Sequence, residues 1–348
     1  MKKTKIVKLL AATAMATVLS NAAHSQVTVS GYVEATYMNA GYSANAASSP
    51  AGTRSLGSES LLKVAGKGKM SNGWGYEAFQ EFESDETFAF HQRYIGISPT
   101  NDITLFYSFD GQKGSEISGR ITPFVTERNQ DITGQSGIPE YIDITSGQNF
   151  VGFDVMNVGP AGQLSFVYNP NMDGTSNSGS DRLLPATKNR QGYSVGYKVT
   201  PVAGLTIGAG LTKIDADAAT FQDANAKTLG FSYAQAPFAF GAQRIRQEGL
   251  KTSQAAAQKD EIDIISATYA VNKEITIGGS YATLERSLLG VKQAQDTNSK
   301  NIAVAYNLGP VVMSLNYENS YDTAASGTVA PTAGRDVSVT KFKVRANY

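Results

Sequence analysis

The chain has 348 residues, no cysteine and a formal net charge of zero. An exported protein without cysteine has no disulfides to stabilise it, and a balanced charge is not the footprint of a nucleic-acid binder. After Ser25 no apolar run approaches the ~18 residues of a membrane helix, yet the chain is rich in glycine (34), tyrosine (17) and phenylalanine (15).

The first 25 residues read as a secretory signal peptide. Lys2, Lys3, Lys5 and Lys8 form a basic region, and Leu9 to Leu19 an apolar one. Ala23-His24-Ser25 then offers small residues where a signal peptidase reads, which places the cut before Gln26. Without the four leader lysines, 26 basic residues stand against 30 acidic ones.

From Gln26 onward the pattern has period 2. Val27, Val29, Gly31, Val33, Ala35 and Tyr37 share one parity; Thr28, Ser30, Tyr32, Glu34 and Thr36 share the other. A strand sends successive side chains to opposite faces, so one face is apolar and the other polar. The next segment repeats this, with Leu62, Val64 and Met70 against Lys63, Lys67 and Lys69. Ser71-Asn72-Gly73 turns the chain into Trp74–Glu83. Ala89–Ser98 and Asp102–Asp110 follow, joined at Pro99-Thr100-Asn101. After an interruption come the hairpins Gln148–Asn157 with Gln163–Tyr168, Gln191–Val199 with Leu205–Lys213, and Lys227–Gln235 with Phe238–Gln247. Glu261–Val271 with Glu274–Leu284, Asn301–Asn307 with Val311–Ser320, and the closing strand Val337–Tyr348 complete the series.

This predicts an all-β fold: a 16-stranded antiparallel transmembrane β-barrel over 26–348. Each strand is near the 9–11 residues needed to cross a bilayer at a tilt. Short turns alternate with long polar loops, as in outer-membrane barrels, and closure removes the sheet edges that lipid would not tolerate. Trp74, Tyr76, Phe238, Tyr306 and Tyr348 fall near the short-turn rim, where an aromatic girdle belongs. Arg244 and Arg246 share parity with Phe238 and Phe240, so either a bulge re-aims them or they reach the rim, towards lipopolysaccharide phosphates.

The interruption, residues 111–147, is long, rich in glycine and without sustained period. A stretch of that length in a compact domain is usually functional. It is read as a stretch folded into the bore. Phe342, Val344, Ala346 and Tyr348 share the face opposite Lys341, Lys343 and Arg345. Charges facing lipid near the midplane would cost ~2–4 kcal/mol each, so the cations belong in the lumen.

The chain resembles the general porins of Gram-negative bacteria. Lys63–Phe82, Phe90–Ile97 and Asn149–Tyr168 are similar to the family's strand patterns, and Ile138-Pro139-Glu140-Tyr141 resembles the acidic element of its third loop. Phe342 and the terminal Tyr348 take the place of the family's C-terminal assembly signal. The resemblance implies a homotrimer in the cell outer membrane, inserted by the barrel-assembly machinery among lipid and lipopolysaccharide. It implies passive diffusion of ions and small hydrophilic solutes, with no cofactor and no nucleic-acid partner. It also implies that residues 111–147 are a constriction loop, whose acids Glu116, Glu127, Asp131, Glu140 and Asp143 face a basic wall of Lys63, Lys67, His91, Arg93, Lys341, Lys343 and Arg345. Ser84–Phe88 is too short for a long inter-subunit latch. Rival readings are a substrate-specific channel and a surface receptor or adhesin. A hydrolase would need a base beside a nucleophile, and beyond the leader the only histidine is His91. No zinc or EF-hand spacing is present.

Overall fold

The computed structural model describes residues 26–42, 53–84, 88–109, 121–125, 149–159, 162–170, 191–215, 223–249, 258–288, 290–294, 296–322 and 336–348. The leader and the five proposed loop acids lie outside the described residues. Among those described, the first strands are β1 (Gln26–Tyr42), β2 (Thr53–Lys69), β3 (Gly75–Ser84), β4 (Phe88–Ser98) and β5 (Ile103–Phe109). The wall continues with β6 (Asn149–Met156), β7 (Gln163–Asn169), β8 (Gln191–Val202), β9 (Leu205–Asp215), β10 (Ala224–Gln235) and β11 (Phe238–Glu248). It ends with β12 (Gln258–Ala270), β13 (Ile275–Leu288), β14 (Val291–Lys292), β15 (Thr297–Asn307), β16 (Val311–Tyr321) and β17 (Val337–Asn347).

Every pairing is antiparallel; each joins neighbours in sequence except β13 with β15, which passes over β14, and β1 with β17, which closes the sheet. The sheet is therefore a closed cylinder of sixteen wall strands. The seventeenth, β14, has two residues and only folds back on the end of β13 around Gly290, whose φ is 78°. Two residues are too few to leave a period in the sequence, so this hairpin falls inside a stretch expected to be loop. Several strands also run further at the long-loop end than the period-2 pattern reaches: β12 starts at Gln258 and β13 ends at Leu288.

The short turns are built as their residues require. Asn272 Oδ1 accepts from the amides of Glu274 (2.8 Å) and Ile275 (2.7 Å), an Asx turn. Gly309 has φ 82°, and its amide donates to Asn307 Oδ1 at 2.9 Å.

Side-chain parity gives each face its character. Val29, Val33, Ile95, Leu105, Tyr107, Leu229, Phe240, Ile265, Ile302, Leu315 and Phe342 all stand exposed on the outer face, as a lipid-facing belt requires. Trp74, Phe238 and Tyr348 are exposed at its short-turn end, and Phe238 packs on Tyr269 with ring centroids 4.8 Å apart.

Towards the long-loop end of β10–β13 the polarity of the two faces reverses. The pairing of β11 with β10 and β12 runs without a bulge, so Arg244 and Arg246 stay on the outer face. Arg244 makes two 2.6 Å bonds to Asp263, and Arg246 lies 3.5 Å from Glu261, which Lys259 also reaches at 2.9 Å. On the inner face at the same height Ile245, Ile262 and Leu284 are buried. The expected polar lining thus gives way there to a buried aliphatic wall, with the buried Asp260–Arg286 pair next to it on the same face.

The described part of the long loop lies inside the cylinder beside that wall. The Ile121 amide donates to the inward Gln243 Oε1 at 3.4 Å. Two inward glycines admit the segment. A Cβ at Gly241 would meet Pro123 Cδ at 2.9 Å, and one at Gly278 would meet Val125 Cγ2 at 2.8 Å.

The seam between β1 and β17 joins the two ends of the chain. Gly31 and Tyr348 exchange backbone hydrogen bonds of 3.1 and 3.0 Å. The Tyr348 ring covers Gly31, and its hydroxyl donates to Leu61 O at 3.1 Å. Inside the wall Glu34 is 2% exposed. It receives Lys343 Nζ at 2.8 Å and the Arg345 guanidinium at 2.7 Å. Removing one side of a buried pair costs about 3–5 kcal/mol, and less where a partner still reaches water, as Arg345 does. Glu34→Gln keeps the shape and removes the charge. It should destabilise the barrel by on the order of 2 kcal/mol, seen as a lower temperature for loss of β-sheet circular dichroism in detergent. An unchanged transition would mean that backbone pairing alone holds the seam.

Candidate pore lining

The inner face over β17, β1, β2 and β3 carries the densest set of ionisable side chains described. Register sets this out strand by strand. Glu34 lies opposite Arg345 on one side and Glu59 on the other. Lys63 lies opposite Ser30 and Glu81, and Lys67 opposite Gln26 and Glu77. Lys341, Lys343 and Arg345 share this face because β17 continues the alternation without interruption.

Most of these charges are held. Lys63 Nζ is 2.7 Å from Glu81 Oε2; the lysine is 43% exposed and the glutamate 5%. Arg345 lies over the Tyr32 ring, 3.9 Å from its centroid, where the π-face favours a cation. The Tyr32 hydroxyl donates to Glu59. Thr36 donates to Glu34 at 3.2 Å. Lys67 is exposed on the same face.

The basic wall is therefore interleaved with acids of its own. Glu34, Glu59, Glu77, Glu81 and Glu83 share the inner parity with the lysines. The acids expected across the bore, on the loop, are outside the described residues. The wall acids were within reach of the sequence: a turn centred on Asn72 brings position 63 opposite 81 and 67 opposite 77. Further round, Arg286 and Asp260 form a fully buried inner pair at 2.7 Å, with Gln258 donating to Asp260 at 2.9 Å. Glu318 accepts from Ser299 (2.9 Å) and Ser320 (2.7 Å).

Arg93 departs from its expected position in the lumen. The pairing of β3 with β4 shifts between Glu81 and Phe82, and His91 is the unpaired residue. Below the shift Gln80 faces Arg93, Ala78 faces Ile95 and Tyr76 faces Ile97. Arg93 therefore sits on the outer face with Ile95, which is 61% exposed. The inner face of β4 is Gln92, Tyr94 and Gly96. The His91 side chain lies outside the described residues. Phe342 is outward, as is Tyr348 at the seam. Among the described residues no three His, Cys, Asp or Glu side chains could together hold a metal ion.

The family model described as Gram-negative porin matches residues 11–325. No curated protein matches in sequence. Among solved structures, OmpT of Vibrio cholerae in its trimer form superposes with a TM-score of 0.67, covering 93% of this chain and 100% of its own at 10% identity. The anion-selective porin from Comamonas acidovorans gives 0.64, with the same coverage and 15% identity. A substituted Rh. blastica porin gives 0.56 at 11% identity, covering 93% and 100%. At such identities the likeness speaks for the fold, and the closed barrel, the inward segment and the family match agree. The chain belongs to the Gram-negative porin family and is an outer-membrane β-barrel channel for the diffusion of solutes.

Proposed function

We propose that ions and small polar solutes pass along the inner face of β17, β1, β2 and β3, with the 111–147 loop narrowing the bore from the β11–β13 side. The observation that carries this is the division of the interior. Residues 121–125 lie against Gly241, Gln243 and Gly278, while on the other wall Lys67 is exposed and Lys63, paired with Glu81, is half-exposed. Charges lining a constriction set selectivity through the local field. In this reading the exposed Lys67 acts on passing ions and Lys341 adds to the local field, while Glu34 offsets the charges of Lys343 and Arg345. Family and fold speak for a channel rather than a catalyst. Cleavage before Gln26, where β1 begins, completes the reading.

We further propose that the chain forms a homotrimer, as OmpT of Vibrio cholerae does in its trimer form, through the outer face of β2–β5. Arg93 lies on the outer face in line with apolar residues, with Ile95 below it and Phe82 on the neighbouring strand above. A cation there costs ~2–4 kcal/mol against lipid. Its neighbour Gln80 has a buried Oε1 without a hydrogen-bond partner. Val64, Ala78, Ile95 and Tyr107 surround the two in a shallow depression of about 230 Å³. A protein surface can supply Gln80 Oε1 with a donor where hydrocarbon cannot.

Purified protein in a planar bilayer should show stepwise ohmic conductance. Lys67→Glu combined with Lys341→Glu should move the reversal potential in a salt gradient towards cation preference, while Arg93→Gln leaves it unchanged. No shift in the double variant would put those lysines off the ion path. Arg93→Glu should lower the mass of the detergent-extracted assembly from three copies towards one. A trimer that survives the change intact would move the interface to another face.

A further inference from the structure

The inner face of β3 and β4 carries two aromatic rings on a wall otherwise suited to water. Phe79 and Tyr94 are register partners, and their rings stack with centroids 5.2 Å apart and planes 21° apart. Both are only half-buried. Their neighbours across the sheet are small: Ala65 faces Phe79 from β2 and Ser108 faces Tyr94 from β5. Gly96 follows Tyr94 on the same face. The ring pair therefore stands proud of the wall.

Polar groups frame the rings at both ends. One step along the inner face of β3 is Glu81, held by Lys63 at 2.7 Å. One step the other way is Glu77, opposite Lys67, with its side chain lying over Gly96, where a Cβ would meet its Cγ at 2.8 Å. Same-face positions on a strand are about 6.5–7 Å apart, so each carboxylate is within reach of the edge of a ring stacked on Phe79 or Tyr94. Acids and bases alternate around the pair, so the frame offers donors and acceptors side by side. A solute with an apolar ring face and a hydroxylated edge matches both the rings and the frame.

We propose that Phe79 and Tyr94 form a low-affinity subsite for pyranose sugars, with the ring face on the aromatics and the edge hydroxyls meeting Glu77, Lys63 and Lys67. This rests on the channel reading above and adds a solute class to it. The outward pair Phe153–Phe166, with centroids 5.3 Å apart, has the same stacking without the polar frame and serves as a control.

The test is single-channel recording of the mature protein with maltotriose, compared with a polyethylene glycol of similar mass. The sugar should reduce conductance saturably, and the polymer only in proportion to bulk conductivity. Phe79→Leu should weaken the sugar effect by about 2–10-fold, the range set by one aromatic contact. Phe79→Tyr should retain it, and Phe153→Leu should leave it unchanged. Identical responses to sugar and polymer in a conducting channel overturn the subsite and leave the channel reading standing. Saturation by zwitterionic tyrosine but not by maltotriose also overturns it. Absence of any conductance defeats both.

Discussion

Hydrocarbon offers no partner to a backbone amide, and that single fact governs this molecule. A sheet immersed in lipid must have no free edge, so the first strand has to meet the last. The chain accomplishes this at β1 and β17 with an uninterrupted register from Tyr32–Asn347 to Tyr42–Val337. Register slips by one residue exchange the two faces of a strand, so something must fix it. Glu34 does this from inside by fitting between Lys343 and Arg345, and Tyr348 does it from outside by covering the one residue, Gly31, that has no side chain in its way. The same glutamate that staples the seam also neutralises two cations on the inner face.

Closure makes inside and outside a matter of parity, and the departures from simple parity are where the chemistry lies. On β10–β13 the alternation continues while its meaning changes, because the inner surface at that height meets protein and the outer one meets polar surroundings. On β4 a single unpaired residue, His91, accommodates a shift, and Arg93 is left on the outside among apolar neighbours. The first feature has its occupant in the structure, the inward chain segment 121–125. Glycine marks the contact in the first case, since only its bare backbone leaves room for Pro123 and Val125.

Much of this could be read from the residues alone. The alternation in β1 and β17 assigns Glu34, Lys343 and Arg345 to one face without any coordinates, and the spacing of turns yields sixteen wall strands. The long aperiodic stretch is correctly set inside the bore as far as residues 121–125 describe it. What the sequence hid was pairing across strands. Arg93 shares parity with Ile95 and Ile97, and that parity outweighs its charge. A cation alone suggests water, and Gln80 comes to stand beside it only through the pairing with β3. The wall acids Glu77 and Glu81 are legible in the sequence, since the turn at Asn72 sets them opposite Lys67 and Lys63. The aromatic pair Phe79–Tyr94 needed the shifted register of β3 with β4, which no local pattern reveals.

The paired charges on the outer face of β11 and β12 carry a consequence for where the barrel sits. Arg244–Asp263 and Arg246–Glu261 stand above Phe240 and Ile265, while Trp74, Phe238 and Tyr348 encircle the opposite rim. Together they are a draught mark. A bilayer thicker than the span between them would strip water from two ion pairs, and a thinner one would leave the phenyl rings wet. Mismatch of that kind costs fractions of a kcal/mol per Å, so the cylinder has a preferred immersion depth and a preferred membrane thickness on this flank. Lipid around it must stretch or compress to fit.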